Sequence, residues 1–333
     1  MNKEIGGDFY NIPLQDEDNL VFPNDTKWFV SGRAALDYII KDIKSKNNVK
    51  TIAMPSWCCE SMVEPFINNN IEVKFYPVTY DKELTINNSI EADILFRIDY
   101  FGYRQNIKEF NGIIIDDITH SIFSNPNRDG DYTFGSLRKW AGFKTGGFAY
   151  SKSFSLLEEL EEPKDYIELR TKAIEYKQKY LNDEIDDKGY LDIYKEAEEK
   201  LDFLYGYKGF DEDIENARHL DIKSIKEKRI ANAEVLLETV GEYAIFKNIQ
   251  EDDCPMFVPI LIENRDALRK YLIENNIYCP IHWPISNLHK LSEEEKYIYD
   301  HELSLVCDQR YDIDDMQRTC ELFKKFLNGE GKC

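Results

Sequence analysis

Four short segments hold the residue types from which a reaction could be built. The first is Ser31-Gly32-Arg33-Ala34-Ala35, where a brief apolar run gives way to helical spacing. A helix start offers unpaired N–H groups and the positive end of a dipole to a phosphate. Gly32 lets the backbone approach closely, and Arg33 adds a charge-assisted contact. The same residues also read as an ordinary Ser N-cap. The second segment, Gly112 to His120, is an apolar run ending in Asp116 and Asp117, with an imidazole three residues on. Ligands of open α/β sheets bind outside the carboxyl ends of strands, which is where such an acid would stand. A carboxylate facing a ring nitrogen keeps that nitrogen protonated. An Asp capping the next helix, with His120 in solvent, is the plainer alternative.

The third segment runs from Asp131 to Trp140 and on to the Gly146-Gly147 pair. A Lys139 packed between Arg138, Trp140 and an apolar strand would be neutral and nucleophilic. A lysine laid over Trp140 would serve packing alone. The fourth segment is Tyr278-Cys279-Pro280-Ile281-His282-Trp283-Pro284. Its two prolines stiffen an extended run that presents His282 and Trp283 together, either to a substrate or to a core.

The elements around these segments predict an α/β protein. VKTIAMP, IEVKFYPV, ADILFRIDYFG, NGIIIDD and GGFAYSK read as strands, and CCESMVEPFINNN and the run through Leu36, Ile39, Ile40 and Ile43 read as helices. Strands separated by helices of this length favour a mostly parallel sheet covered on both faces. Residues 153–240 are rich in Glu, Lys, Tyr and Leu and predict several amphipathic helices, with GYKGF as a connector. AIFKN and FVPILI then read as strands, NRDALRKYLIENN as a helix and DIDDMQRTCELFKKFL as a closing helix. The expected division is a large α/β domain over residues 1–240 and a smaller α+β domain over residues 241–333.

In order and spacing these segments resemble the sugar aminotransferases named after DegT, DnrJ, EryC and StrS, within the fold type I pyridoxal-phosphate (PLP) enzymes. The resemblance rests on SGRAALDYI, MPSWCCESMVEPFINNNIEVKFYPV, IIIDDITHSIF, the SLRKW…GGF block and RDALRKYLIENNIYCPIHWPI. Its most specific element is an acid-x-x-His segment followed by a lysine seven residues before a Gly-Gly pair. It implies that Lys139 forms the internal aldimine, that Asp117 pairs with the pyridinium nitrogen, and that His120 lies by the phenolic oxygen. It places Arg33 and Ala34, beside Gly32, at the phosphate-holding turn. The family's ring-stacking aromatic falls at Cys59 here, with Trp57 two residues earlier, so either residue is a candidate to pack on the ring. The family's phosphate-binding Ser falls at Phe134, and Ser136 stands three residues before the lysine. No match is found to the Asn-Tyr-Arg segment by which many relatives reach the partner subunit's site.

The same resemblance implies transamination from an amino acid, glutamate by expectation, to a nucleotide-linked keto sugar, in a homodimer, with polysaccharide assembly the usual setting. Relatives that act as dehydratases carry His in place of the lysine, and Lys139 argues against that activity. A fold type I enzyme acting on a non-sugar substrate, or a non-catalytic binding module, are the remaining alternatives.

Charge and composition exclude other classes. The 333 residues carry a net charge of −21, which repels nucleic acid and anionic lipid. A hydrophobic fraction of 42% with Tyr 21 and Phe 19 suits a buried core rather than disorder. No run approaches a membrane span, and the first residues lack a signal peptide's apolar run, so the expected location is the cytosol. Seven cysteines (58, 59, 254, 279, 307, 320 and 333), without CxxC pairs or His at metal spacing, predict free thiols and no metal site.

Overall fold

A computed structural model describes residues 4–19, 21–105, 109–124, 129–155 and 160–329. Strands β1 (Ile5–Gly6) and β2 (Lys27–Phe29) precede helix α1 (Gly32–Lys46). Next come β3 (Thr51–Pro55), α2 (Glu60–Asn68), β4 (Glu72–Tyr76), and the hairpin of β5 (Val78–Tyr80) and β6 (Leu84–Ile86). β7 (Ile94–Ile98), β8 (Ile113–Asp117), β9 (Tyr132–Ser136) and β10 (Gly147–Tyr150) follow. Four helices succeed them: α3 (Lys164–Leu181), α4 (Tyr190–Leu201), α5 (Asp211–Arg218) and α6 (Ile222–Val240). The last elements are β11 (Phe257–Leu261), α7 (Arg265–Glu274), β12 (Ile277–Tyr278), α8 (Glu293–His301), β13 (Glu302–Val306) and α9 (Ile313–Leu327).

Unbroken apolar runs become the inner strands of a seven-stranded sheet in the order β2-β10-β9-β8-β7-β3-β4. The pairs from β4 through to β9 are parallel, and β10 and β2 add antiparallel edges. Ile94 to Ile98 are buried throughout, as expected of a strand covered on both faces. α1 lays Leu36, Ile39, Ile40 and Ile43 on this sheet, each burial contributing about 1.5–3 kcal/mol. The fully buried Asp42 of the same helix accepts from Tyr132 Oη at 2.8 Å, Lys46 Nζ at 2.6 Å and Ser155 N at 2.8 Å. That carboxylate ties α1 to β9 and to the chain beyond β10, fixing the helix relative to the strand that leads to Lys139.

A second core joins β11, β13, α7 and α9, and it also takes in Ile5 and the Ala233, Leu236 and Val240 face of α6. β1 reaches it by pairing parallel with β12. Two extended segments are shorter than their sequence suggests. AIFKN makes one bridge, Ala244 to Ile260, because Pro259 has no N–H to continue the ladder. Of IYCPIHWPI only Ile277–Tyr278 is strand, the run ending just before Pro280. β9, α8 and β13 are elements the sequence reading did not single out. Among the described residues, no helix is long and apolar enough to cross a membrane, and no three metal-ligating side chains cluster. Six thiols are free, and Cys333 lies outside the described residues.

Candidate active site

The strand period of two separates Asp116 from Asp117. Asp116 turns to Arg97, accepting from Nε at 2.6 Å and Nη2 at 2.8 Å, with Gly130 N at 3.0 Å. Asp117, 2% exposed at the carboxyl end of β8, lines a cavity with Ser31, Gly32, Arg33, Thr119, Ser136 and Lys139. Its Oδ1 accepts from Thr119 N at 2.8 Å. Burial pushes its pKa up to about 6, the Thr119 hydrogen bonds opposing, and no cation pairs with it among the described residues. The carboxylate therefore meets Thr119 where the sequence suggested His120.

His120 lies behind this acid, its ring stacked on Trp283 at 5.4 Å and flanked by Phe101 and His282. Its Nδ1 is buried without a hydrogen-bond partner among the described residues. Burial, and then the charge of Lys139, hold its pKa down at about 3, so the ring is neutral.

Lys139 ends the one-turn 3-10 segment Leu137–Lys139 and is exposed. The packing expected around it is absent, because Trp140 turns inward, donates from Nε1 to Thr119 O at 2.7 Å and carries Arg229 over its face at 4.4 Å. Ser136, 7% exposed at the end of β9, faces the cavity beside Gly32. Gly147 stands opposite the same turn: a Cβ there would lie 2.0 Å from Ser31 O and 2.8 Å from Gly32 N. A glycine at this position is what lets β10 pass against the start of α1.

At that start Ser31 Oγ accepts from Ala34 N and Ser31 O from Ala35 N. The N–H groups of Gly32 and Arg33 are left without a partner among the described residues, as helix starts leave them. The Arg33 guanidinium is paired with Asp202 at 2.7 Å. Glu198, one turn earlier on α4, pairs with Arg138 and, at 3.4 Å, with Arg170. Arg138, Lys139 and Arg170 hold the Glu198 carboxyl below its usual value against the desolvation that would raise it. Asp202 and Glu198, which no motif marks, thus answer the cations around this cavity.

Neither Trp57 nor Cys59 lines the cavity. Trp57 is fully buried, stacked on Tyr100 at 4.7 Å, and donates from Nε1 to His282 O at 2.7 Å. Cys59 is the N-cap residue of α2, with Sγ 3.1 Å from Ser61 Oγ. From this turn Ser61 and Met62 are the side chains that face the cavity. They lie just past the two positions the sequence offered, and only the path of the chain beyond β3 could have told them apart. His282 and Trp283 are outside the cavity lining, packed on His120 and Trp57.

No family model matches the sequence, nor does any curated protein. Solved structures do match in shape. The sugar aminotransferase CalS13 from Micromonospora echinospora superposes with a TM-score of 0.62 at 12% identity, over 90% of this chain and 87% of that one. A DegT DnrJ EryC1 StrS aminotransferase from Brucella abortus gives 0.59 at 14% identity, over 90% and 85%. The GDP-4-keto-6-deoxy-D-mannose-3-dehydratase of E. coli, solved with bound hydrated PLP, gives 0.60 at 14% identity, over 89% and 87%. The fold is that of the sugar aminotransferases.

In that fold the donor set fits a phosphorylated pyridine. Asp117 is a buried acid with a free oxygen, suited to a ring N–H. The Gly32 and Arg33 N–H groups and Ser136 are suited to a phosphate, and Lys139 to an aldehyde. The Arg33–Asp202 pair opposes a phosphate weakly, since ion pairs this exposed are worth about 0–1 kcal/mol.

Proposed function

We propose that this protein is a PLP-dependent aminotransferase that moves an amino group from an amino acid, glutamate by expectation, to a nucleotide-linked keto sugar. The observation that carries the reading is Asp117, a buried carboxylate with no cation partner among the described residues, facing a cavity shared with Lys139 and the start of α1. When bound, PLP supplies an electron sink for the charge that develops at the substrate's α-carbon. Asp117 holds a proton on the ring nitrogen, which the sink requires. The N–H groups of Gly32 and Arg33, with Ser136, hold the phosphate. Lys139 takes the α-proton and returns it one atom away, as general base and then acid. His120, neutral in its aromatic pocket, is within reach of Lys139's charge and keeps water from that side. The six free thiols suit the cytosol, and a homodimer is the proposed assembly.

The test is an absorbance spectrum with added PLP, followed by borohydride reduction and peptide mapping. A visible band, fixed by borohydride on the peptide containing Lys139 and altered by glutamate, is expected. Lys139→Ala should lose the fixed adduct and lower turnover by at least the roughly 10²–10⁴-fold that a positioned acid–base contributes. A non-catalytic protein of this fold is the second reading, favoured by the engagement of Arg33 with Asp202. Absence of PLP binding at millimolar cofactor would select it.

A further inference from the structure

Behind His282 runs a chain of polar side chains that the proposed reaction does not use. Glu302 and Ser304 project from the face of β13 opposite Leu303 and Leu305, which enter the second core, and both are fully buried. Glu302 Oε2 accepts from the His282 backbone N–H at 2.6 Å, and Glu302 Oε1 lies 2.5 Å from Ser304 Oγ. Ser304 Oγ is in turn 2.8 Å from His282 Nδ1. A hydroxyl has a single proton, so it cannot donate to Glu302 and to His282 at once. The direction of one hydrogen bond therefore fixes the direction of the other.

We propose that Glu302 and Ser304 are positioning residues whose arrangement of protons decides which ring nitrogen of His282 carries hydrogen. The inference goes beyond the proposed reaction: His282 lies outside the cavity lining and packs on His120, whose ring feels the charge of Lys139. With Glu302 ionised, Ser304 donates to Oε1 and must accept from His282 Nδ1–H, leaving Nε2 a bare acceptor. With Glu302 protonated on Oε1, its O–H donates to Ser304 Oγ. The Ser304 hydroxyl then donates to Nδ1, and the ring carries its proton on Nε2. Passing from the second state to the first balances as one proton lost to solvent: Nε2–H leaves, the Ser304 proton moves to Nδ1, and the Glu302 proton moves to Ser304. His282 is half-buried, so the residue is not sealed from the solvent that takes up the proton.

The surroundings place the change in a usable range. Burial raises the Glu302 carboxyl to about 8, opposed by Ser304, by the His282 N–H and by Arg265 of α7. The Cys279 thiol also faces Glu302, while β11 opposite contributes no titratable side chain. His282 itself is kept neutral by burial, then by His120 and Lys139, so tautomer exchange and not ring protonation is the available response. Below pH 8 His282 offers a donor, and above it an acceptor.

Long-range ¹⁵N–¹H correlation spectra of histidine-labelled protein, free of any cofactor, read the tautomer directly between pH 6.5 and 9.5. The expected result is a His282 proton that moves from Nε2 to Nδ1 with a midpoint near 8. Glu302→Gln, whose amide oxygen keeps the His282 N–H and so turns its NH2 to Ser304, should lock the Nε2–H form at every pH, and Ser304→Ala should abolish the dependence. A His282 tautomer constant over the range in the wild type, or still switching in Glu302→Gln, would overturn the proposal. Because the spectra need neither PLP nor substrate, failure of the aminotransferase reading would show separately, in the absorbance experiment.

Discussion

Adjacent carboxylates on a strand face opposite ways, and Asp116 and Asp117 do different work as a result. Asp116 is consumed by Arg97, while Asp117 keeps an oxygen for a ligand. The raised Asp117 carboxyl gives a signed expectation. Protonated Asp117 cannot pair with a ring N–H, so PLP affinity should be flat above about pH 6. As pH falls below that value it should drop, by about tenfold per unit. The cofactor's own phosphate titrates nearby, so the comparison with Asp117→Asn isolates the protein's share. A wild type and an Asp117→Asn variant with the same pH profile would place the responsible acid elsewhere. The type and position of Asp117 and Lys139 are legible in the sequence because a strand end and a Gly-Gly spacing mark them. The exposure of Lys139 is not, since it depends on Trp140 turning inward to Thr119 and Arg229.

At the scale of elements, the site is set by how α1 meets the sheet. Gly147 and Asp42 are the two residues that hold this junction, one by having no side chain and the other by having a carboxylate with several donors. Gly147→Ala should destabilise the fold by about 1–3 kcal/mol, as overpacking does, and should weaken PLP binding by displacing the Gly32 turn. Asp42→Ala should cost about 1–3 kcal/mol, since it leaves the buried Tyr132 hydroxyl without its acceptor. Urea unfolding reads both, and an unchanged midpoint in either variant would contradict the account. Apolar runs such as those of β3, β7 and β8 are visible in sequence because burial on both faces leaves no polar alternation. β13 is not: Glu302 opens it directly after an acidic helix, and Glu and Ser read as surface unless their burial partners are known. Trp57 misled for the opposite reason, an aromatic at nearly the right spacing whose ring is taken by Tyr100 and Trp283.

Two pressures act together on the whole molecule as pH rises. A chain of net charge −21 repels itself more as its remaining acids ionise. Glu302 adds a buried acid whose folded value of about 8 exceeds the ordinary 4.5. Between those values the folded state holds the extra proton, so stability is lost as pH climbs, by at most about 1.4 kcal/mol per unit. His120, held at about 3 against an ordinary 6.5, works the other way and costs stability as pH falls through that interval. Melting temperature should therefore fall above pH 6.5, where His120 is neutral in both states and Glu302 alone still exchanges a proton. Salt screens the surface charge but not a buried carboxyl. In high salt the alkaline decline should persist in the wild type and flatten in Glu302→Gln. A decline that salt abolishes in both would assign it to surface charge alone.

The pairing of β1 with β12 bears on how the chain is made. Ile5 is completely enclosed, opposite Ile277, and the Gly6 N–H donates to Tyr311 Oη at 2.7 Å. On the ribosome β1 thus emerges long before β12, its partner, and contacts this distant in sequence are slow to close. Until then the nascent chain leaves Ile5 uncovered, because synthesis has not yet supplied its partner.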